Sequence, residues 1–221
     1  HIVLDYQDKF FDGVVSNFVD SYAKGETPLP CVRCNQTVKF SDLLNESKKI
    51  GADVLATGHY ALRKGTLNNA SLHKAKDFSK DQSFFLFATL QEQLNYVRFP
   101  LGDFKKSEIR QLAKEYKLSV SDKPDSQDIC FVTTDSYRDL VKNLNPSVNK
   151  KGIIYDIDNN ILGTHDGISN YTIGQRKGIG ISGSKEALYV IHISKDQNSI
   201  TLGTKEKLKK NVINFKNINW L

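Results

Sequence analysis

Helical and strand-like segments alternate along the first two thirds of the chain. Residues 8–23 place apolar side chains three and four positions apart, which predicts a helix that Gly25 can end. Residues 53–57 are a short apolar run that predicts a buried strand stopping at Gly58. The alternation indicates an α/β fold built on a mostly parallel sheet. The segment after residue 57 should then lie at the carboxyl edge of the sheet, where ligands usually bind.

Further helices and a short strand are predicted in this first part of the chain. Ser41 is predicted to cap a helix that runs to Ile50, and Ser107 to begin a helix with an acidic first turn. Residues 129–132 are predicted to form a short strand, and Asp135 to cap a helix that reaches Leu144.

The pattern changes after residue 145. Apolar runs at 152–156 and 161–164 flank an Asp-Asn-Asn turn, and runs at 188–193 and 199–202 flank residues 195–198. Each pair is a hairpin signal. We therefore expect a smaller, mostly antiparallel α+β domain behind a boundary near residue 145.

Composition limits the classes of protein that fit. No apolar run approaches the ~20 residues of a membrane helix, and no signal peptide pattern is present. Three cysteines argue against a disulfide framework and favour a reducing cytoplasm. The chain starts in a strand-like segment and has no methionine, so we expect an internal piece of a longer protein. A net charge of +6 and a pI near 9.1 fit either a solvated basic surface or a phosphate-binding one.

The cysteines are the first candidates for chemistry. Cys31-x-x-Cys34 follows a proline-rich turn and fits a redox couple, half a zinc site, part of an iron–sulfur site, or two thiols without a chemical role. Cys130 fits either a packing thiol or a nucleophile, with Lys123 available to favour its thiolate.

Two polar segments are further candidates. His59 follows the predicted strand and glycine, where it can polarise a substrate, contact an anion or simply complete a turn. Residues 80–83 precede an apolar run, so they form either a functional polar cluster or a helix start at which Asp81 complements the helix dipole.

Together these segments resemble the bacterial tRNA-specific 2-thiouridylases, which place sulfur on the wobble uridine of certain tRNAs. The resemblance covers residues 27–180 in family order. Its motifs are 27–35 (TPLPCVRCN), 56–61 (ATGHYA), 80–83 (KDQS), 99–102 (FPLG), 123–131 (KPDSQDICF) and 171–180 (YTIGQRKGIG). It implies the C-terminal part of a Rossmann-like ATP pyrophosphatase (PP-loop) domain at 1–145. It further implies a glycine-rich tRNA-binding domain at 146–207 and the start of a C-terminal β-barrel at 208–221.

The resemblance also implies a reaction. ATP, with Mg²⁺, adenylates the C2 oxygen of the uridine, and a sulfur-relay protein or a cysteine desulfurase loads a persulfide on Cys130. That sulfur reaches the activated carbon, and Cys34 acts as the nucleophile that releases it, leaving a Cys34–Cys130 disulfide. Carried over by position, Gly58 contacts ATP. The tRNA contacts carried over are Leu29, Pro30 and Cys31 at the target base, His59, and Lys80, Asp81 and Gln82.

Two departures from the family pattern stand out. The Ser-Gly-Gly-Val-Asp-Ser type of nucleotide loop is absent, and Leu29 stands where the family usually has asparagine.

Three other hypotheses remain open. The chain could be a tRNA-binding body without independent catalysis, or an iron–sulfur thiolase that uses Cys31, Cys34 and Cys130 as ligands. A different ATP pyrophosphatase is the third, although such an enzyme has no use for paired thiols.

Overall fold

The structure is a computed structural model that describes residues 1–124, 129–132, 136–183 and 186–221. Contacts divide the chain into two compact units. The first comprises His1–Val14, Pro30–Ile129 and Lys216–Leu221, and the second comprises Val15–Leu29 and Cys130–Phe215. The domain boundaries placed near residues 145 and 207 remain predictions.

The described elements are short. The α-helices are α1 Gln7–Phe10, α2 Asn17–Ala23, α3 Pro30–Cys34, α4 Leu44–Lys49, α5 Gln91–Tyr96, α6 Lys106–Glu115 and α7 Tyr137–Leu144. Phe11–Ser16 and Asn35–Leu43 are π-helical, and Ser83–Leu86, Pro146–Val148, Ile168–Asn170 and Lys205–Leu208 are 3₁₀-helical. The strands are β1 Leu55–Ala56, β2 Ala61–Gly65, β3 Ala70–Lys74, β4 Val97–Arg98, β5 Gly152–Tyr155, β6 Ile161–His165, β7 Tyr189–Ser194 and β8 Ser199–Gly203.

The first unit holds a parallel strand pair and a hairpin. β1 pairs in parallel with β4, and β2 pairs antiparallel with β3. The parallel pair agrees with the α/β prediction, although Val54 is exposed and the run is less buried than expected. The core beside these strands consists of Phe40, Leu44, Ala61, Ala70, Leu86, Leu94, Val97 and Phe99.

The second unit is built on a four-stranded sheet of order β6-β5-β8-β7. Both predicted hairpins are confirmed: β5 pairs antiparallel with β6, and β7 with β8. Asp156 explains the first turn, since its carboxylate accepts the backbone N–H groups of Asp158 and Asn160, each at 2.8 Å. β5 and β8 are parallel, so the sheet is mixed. Within the described residues it does not close into a barrel.

The long N-terminal helix agrees with its prediction. Helical residues run from Gln7 to Ala23, and Gly25 follows with a φ of 75°, the left-handed conformation that ends helices. Val14, Phe18 and Val19 are buried as the periodicity predicts, whereas Phe11 is exposed.

Three predicted strands are wrong. Residues 1–5, 129–132 and those from 212 onward have no strand. An isolated apolar alternation leaves its backbone groups unpaired unless a neighbouring strand is in register, and the described residues offer none to these segments.

Two predicted helix caps need correction. The helix assigned to start at Ser41 begins at Pro30 and continues through α4, so Ser41 lies inside it. Asp135 lies outside the described residues; α7 instead has Ser136 at its start, where the Ser136 hydroxyl accepts the Arg138 N–H at 3.1 Å. None of the described helices is both long enough and apolar enough to cross a bilayer.

Candidate functional site

Cys31 and Cys34 lie in α3, at the beginning of a helical run. Cys31 is exposed and Cys34 is partly buried. Their spacing of three residues places them on one face of the helix, a turn apart. Val32 is buried, and the Arg33 Nε group donates to the Gly13 carbonyl at 3.1 Å, so the thiol-bearing turn is fixed from the opposite side.

The pair begins a helix directly after the proline-rich turn. Proline is favoured as the first helical residue because its fixed φ suits a helix and its missing N–H would have no intrahelical partner there. Pro30 holds that position. A redox couple at the start of a helix therefore stays among the alternatives for the pair, which must be separated by chemistry.

The thiol helix packs against the segment that follows the Lys-Asp-Gln motif. α3 contacts the 3₁₀ turn Ser83–Leu86, and the buried Asn35 side chain donates to the Phe85 carbonyl at 3.0 Å. Phe84 and Phe87 on the same turn are exposed and in contact with each other. Two motifs separated by nearly fifty residues in the sequence thus form one surface within the first unit.

Asp81 and Gln82 make hydrogen bonds that connect the segments of this surface. The Asp81 carboxylate accepts the Ala75 N–H at 2.8 Å and the Ser83 hydroxyl at 2.7 Å. The Gln82 N–H donates to the Tyr60 carbonyl at 2.7 Å, and the Gln82 side-chain oxygen accepts the Tyr60 N–H at 2.9 Å. Gln82 therefore fixes the position of the residues after β1. The exposed Lys80 precedes this pair. A direct tRNA contact by these three residues remains a prediction.

Truncating Gln82 to alanine should destabilise the fold. The Tyr60 N–H would be left buried without its acceptor, which costs about 1–3 kcal/mol of unfolding free energy. Urea denaturation measures the loss. Gln36→Ala is the matched control: Gln36 is exposed and accepts from the exposed end of the Arg33 side chain, so the change in stability should stay within about 0.5 kcal/mol. Equal losses for both variants would contradict the structural role assigned to Gln82.

His59 lies between the β1 end and Tyr60. Its Nδ1 shares a hydrogen bond of 2.9 Å with the Thr57 hydroxyl, and its ring meets Phe99 edge-on at a centroid distance of 6.1 Å. Burial, followed by the nearby positive charge of Lys39, lowers the pKa of His59 to about 4. The imidazole is therefore neutral at pH 7, and any contact with RNA uses a hydrogen bond rather than a charge.

The His59 titration can be measured by NMR. In the folded protein the midpoint should be about 4, and in urea it should return to ~6.5. Because the unfolded chain takes up this proton first, His59 leaves stability unchanged above pH ~6.5 and lowers it as pH falls from there toward 4. A folded midpoint above 6 would contradict the assigned environment, and Lys39→Gln should raise the midpoint slightly.

Gly58 lies on a cavity of about 700 Å³, here called the α6 cavity. Its walls come from the turn at Gly58 and Tyr60, the motif residues Lys80 and Gln82, the helix α6, and residues 118–124. A Cβ added at Gly58 would meet only Leu101 Cδ1, at 3.8 Å, and the φ of Gly58 lies outside the left-handed region. Packing therefore does not require glycine here, which suits a position that a ligand approaches closely.

Sequence reasoning missed the basic wall of this cavity. Lys106 and Arg110 of α6 and Lys123 line it together with Lys80. In the sequence they are charges on an amphipathic helix and on a turn, which usually face solvent. The available signal was their spacing: Lys106 and Arg110, four residues apart, share a helix face beside Ile109.

Cys130 and Leu29 belong to the second unit, and both are exposed. Phe131, next to Cys130, packs edge-on against Phe18 at a centroid distance of 5.3 Å, which holds one end of the cysteine segment. Residues 125–128 of the cysteine motif lie outside the described residues. The approach of Cys34 to Cys130 remains a prediction.

The iron–sulfur hypothesis requires a group of metal-ligating side chains. Within residues 1–124, 129–132, 136–183 and 186–221, no group of three or more His, Cys, Asp or Glu side chains is arranged to hold a metal ion. The iron–sulfur hypothesis thus gains no support from the part of the chain that is described.

Two family models match the sequence. The tRNA methyl transferase HUP domain matches residues 1–134, and the tRNA methyl transferase PRC-barrel domain matches residues 139–204. The HUP match confirms the Rossmann-like class expected for the first part of the chain.

Curated relatives are similar over the whole chain. The tRNA-specific 2-thiouridylase MnmA of Ehrlichia canis (strain Jake) is 52% identical over 221 residues, which are all of this chain and 60% of the relative. The proteins of the same name from Orientia tsutsugamushi (strain Boryong) and Rickettsia prowazekii (strain Madrid E) are 54% and 50% identical, with 60% and 62% of their lengths covered. The chain spans about three fifths of the length of these relatives.

The HUP model covers more than half of the chain, and the relatives share about half of its residues along its full length. The chain therefore belongs to the tRNA methyl transferase HUP-domain family, together with the tRNA-specific 2-thiouridylases that it resembles.

Proposed function

We propose that this chain is part of an ATP-dependent tRNA 2-thiouridylase that thiolates the wobble uridine. The observation that carries the proposal is the packing of the Cys31–Cys34 helix on the turn that follows Lys80–Gln82. A thiol and a cluster of polar and basic groups on one surface suit sulfur transfer to a base of an RNA. The relatives are named tRNA-specific 2-thiouridylases, which supports the same substrate.

The proposed reaction has two stages. The C2 oxygen of the uridine attacks the α-phosphate of ATP and pyrophosphate leaves, so that the base carries AMP as a leaving group. The terminal sulfur of a Cys130 persulfide then attacks C2 and displaces AMP. The Cys34 thiolate attacks the Cys130 sulfur of this adduct, which releases the 2-thiouridine and leaves a Cys34–Cys130 disulfide. A cellular thiol must reduce that disulfide before the next turnover.

The residues of the first unit supply binding and orientation. Gly58 offers an unobstructed backbone to ATP, and Mg²⁺ would accompany the triphosphate. Neutral His59 and exposed Lys80 contact the tRNA, while Pro30 and Cys31, together with Leu29 of the second unit, border the target base. Extruding an anticodon-loop base costs little because it has no pairing partner. A sulfur-relay protein or a cysteine desulfurase supplies the persulfide.

The full-length gene product, a persulfide donor, ATP and an unmodified tRNA transcript test this function. We expect 2-thiouridine, AMP and pyrophosphate in equal amounts, measured by nucleoside mass spectrometry and a pyrophosphate assay. An ATP analogue with a methylene group between the α- and β-phosphorus atoms is the control, since it cannot release pyrophosphate, and should give no product. Thiolation that proceeds equally well with the analogue would overturn the adenylation step.

A further inference from the structure

Four aromatic rings form one cluster beside Cys130 in the second unit. Phe131, next to Cys130, meets Phe18 edge-on at a centroid distance of 5.3 Å, with an angle of 90° between the ring planes. Phe18 in turn meets Tyr22 at 5.0 Å and Tyr137 at 6.4 Å, also edge-on. Tyr22 and Tyr137 stack on each other at 4.6 Å. The four rings are here called the aromatic anchor.

Two helices hold three of these rings in place. Phe18 and Tyr22 are four residues apart in α2, so they share one face of that helix, and both are buried. Tyr137 begins α7, which packs on α2. Edge-on and stacked pairs of rings add to the stability that burial alone provides. The anchor is therefore a fixed part of the second unit, and the ring of Phe131 is attached to it.

The cysteine segment has no regular structure of its own. Residues 129–132 lie in neither a helix nor a strand, so they lack the ladder of backbone hydrogen bonds that holds such an element. Cys130 is exposed, whereas the neighbouring Phe131 is partly buried. One side-chain contact thus leaves the thiol accessible while it restricts where the backbone beside the thiol can move.

The anchor keeps the same charge over the pH range in which thiols titrate. Burial, followed by the neighbouring Tyr137, raises the pKa of Tyr22 above its ordinary value. Thr172, in the motif 171–180, acts on the same hydroxyl in the opposite direction. The Tyr22 hydroxyl stays uncharged while a thiol, with an ordinary pKa of ~8.5, becomes a thiolate. Any pH dependence of the sulfur chemistry then belongs to the thiols and not to the anchor.

We infer that Phe131 is the positioning residue of Cys130, and that the aromatic anchor confines the Cys130 sulfur to the region in which it reacts. The inference rests on the proposed function, in which Cys130 carries the persulfide and then forms a disulfide with Cys34. Confining the sulfur favours each of these steps, because it raises the effective concentration of the sulfur at its partner. Phe131 acts through Cys130 and takes no part in bond making.

The test compares Phe131→Leu with the unchanged full-length gene product in glutathione redox buffers. One oxidised glutathione converts the Cys34 and Cys130 thiols to a disulfide and becomes two reduced glutathione molecules. The equilibrium constant of this exchange measures the effective concentration of the two thiols, and peptide mass spectrometry after alkylation quantifies it. Leucine stays apolar but loses the edge-on ring contact, so we expect the constant to fall roughly three- to tenfold.

Alkylation by iodoacetamide separates the position of the thiol from its reactivity. Cys31 and Cys130 are both exposed, so Cys31 serves as the reference within the same molecule. The ratio of their alkylation rates should be the same in Phe131→Leu and in the unchanged protein, since the anchor sets where the thiol lies and not its ionisation. A ratio that falls by the same factor as the disulfide constant would contradict a positioning role.

Three further variants serve as controls. Phe131→Tyr keeps the ring and should retain the disulfide constant. Phe18→Leu should lower the constant by a factor similar to that of Phe131→Leu, and the double variant should lower it little further, because both replacements remove the same contact. Phe215→Leu is the matched control, since Phe215 lies exposed in the same unit, and its constant should be unchanged. Thermal melts must show that the variants fold.

The redox measurement needs neither ATP nor tRNA, so it separates the inference from the proposed function. A disulfide constant that is unchanged or larger in Phe131→Leu would overturn the inference and leave the proposed function in place. A protein that makes no 2-thiouridine, yet shows the lower constant in Phe131→Leu, would overturn the proposed function and leave the anchor in place. If the unchanged protein forms no Cys34–Cys130 disulfide, both are wrong.

Discussion

Replacing Cys130 with serine should abolish 2-thiouridine formation in the full-length gene product, a loss on the order of 10³-fold or more. Cys34→Ser should cause a loss of the same size, because in the proposed reaction one thiol carries the sulfur and the other releases it. Serine fills nearly the same space but forms neither a persulfide nor a disulfide. Nucleoside mass spectrometry of tRNA from cells that carry only the variant gene measures the product.

Cys31→Ser decides between two kinds of sulfur chemistry. Cys31 is exposed on the same helix face as Cys34, one turn away, so the two replacements disturb the fold in similar ways. In the persulfide route Cys31 only borders the target base, and its replacement should cost far less than that of Cys34. An iron–sulfur route needs all three thiolates and predicts three equal losses. Pyrophosphate release should persist in Cys130→Ser, since adenylation precedes sulfur transfer; its disappearance would contradict that order.

The parts of the fold that sequence could predict are those with local signals. The hairpin of β5 and β6 follows from a turn in which the Asp156 carboxylate binds its own backbone, and that chemistry is visible in the sequence. The helix before Gly25 and the helix α6 follow from periodicity and from Glu108, which accepts the Lys105 N–H. Each of these signals lies within a few residues of the element that it specifies.

The parts that could not be predicted depend on distant partners. Residues 129–132 and 212–221 look like strands, but a strand forms only when another strand pairs with it, and no local pattern reveals whether one is present. The hairpin of β2 and β3 was missed for the converse reason, since residues 61–65 and 70–74 carry little alternation yet pair along their whole length. Pairing decided both outcomes.

The candidate site follows the same division. The motifs at Gly58 and at Lys80 and Gln82 could be found in the sequence, and the structure brings them to one cavity. The local hydrogen bonds of Asp81 could not be predicted from the motif. Its carboxylate accepts the Ala75 N–H and the Ser83 hydroxyl. Lys106 and Arg110 were missed because the sequence does not show which residues lie across the cavity from these side chains.

Gly102→Ala should destabilise the first unit severely. A Cβ at this position would lie 1.9 Å from the Ala61 carbonyl oxygen and 3.0 Å from Leu62 Cδ2, and the backbone of β2 cannot move away without breaking its pairing with β3. Gly102 also accepts the Lys76 N–H at 2.9 Å through its carbonyl. We expect a loss of about 1–3 kcal/mol or more in unfolding free energy, measured by urea denaturation. A variant as stable as the unchanged protein would show that the approach is looser than described.

Gly58→Ala is the matched change at a neighbouring glycine and should have the opposite profile. Its Cβ would meet only Leu101 at 3.8 Å, so stability should stay within about 0.5 kcal/mol of the unchanged protein. If ATP approaches this backbone closely, the same methyl group should raise the KM for ATP in pyrophosphate release by roughly tenfold, the effect of about 1.4 kcal/mol of lost binding. The two variants thus separate a packing requirement at Gly102 from the ATP contact that is predicted at Gly58. A Gly58→Ala variant with normal stability and a normal KM for ATP would remove Gly58 from the nucleotide site. A methyl group added to a backbone that ATP contacts closely would have to raise that KM.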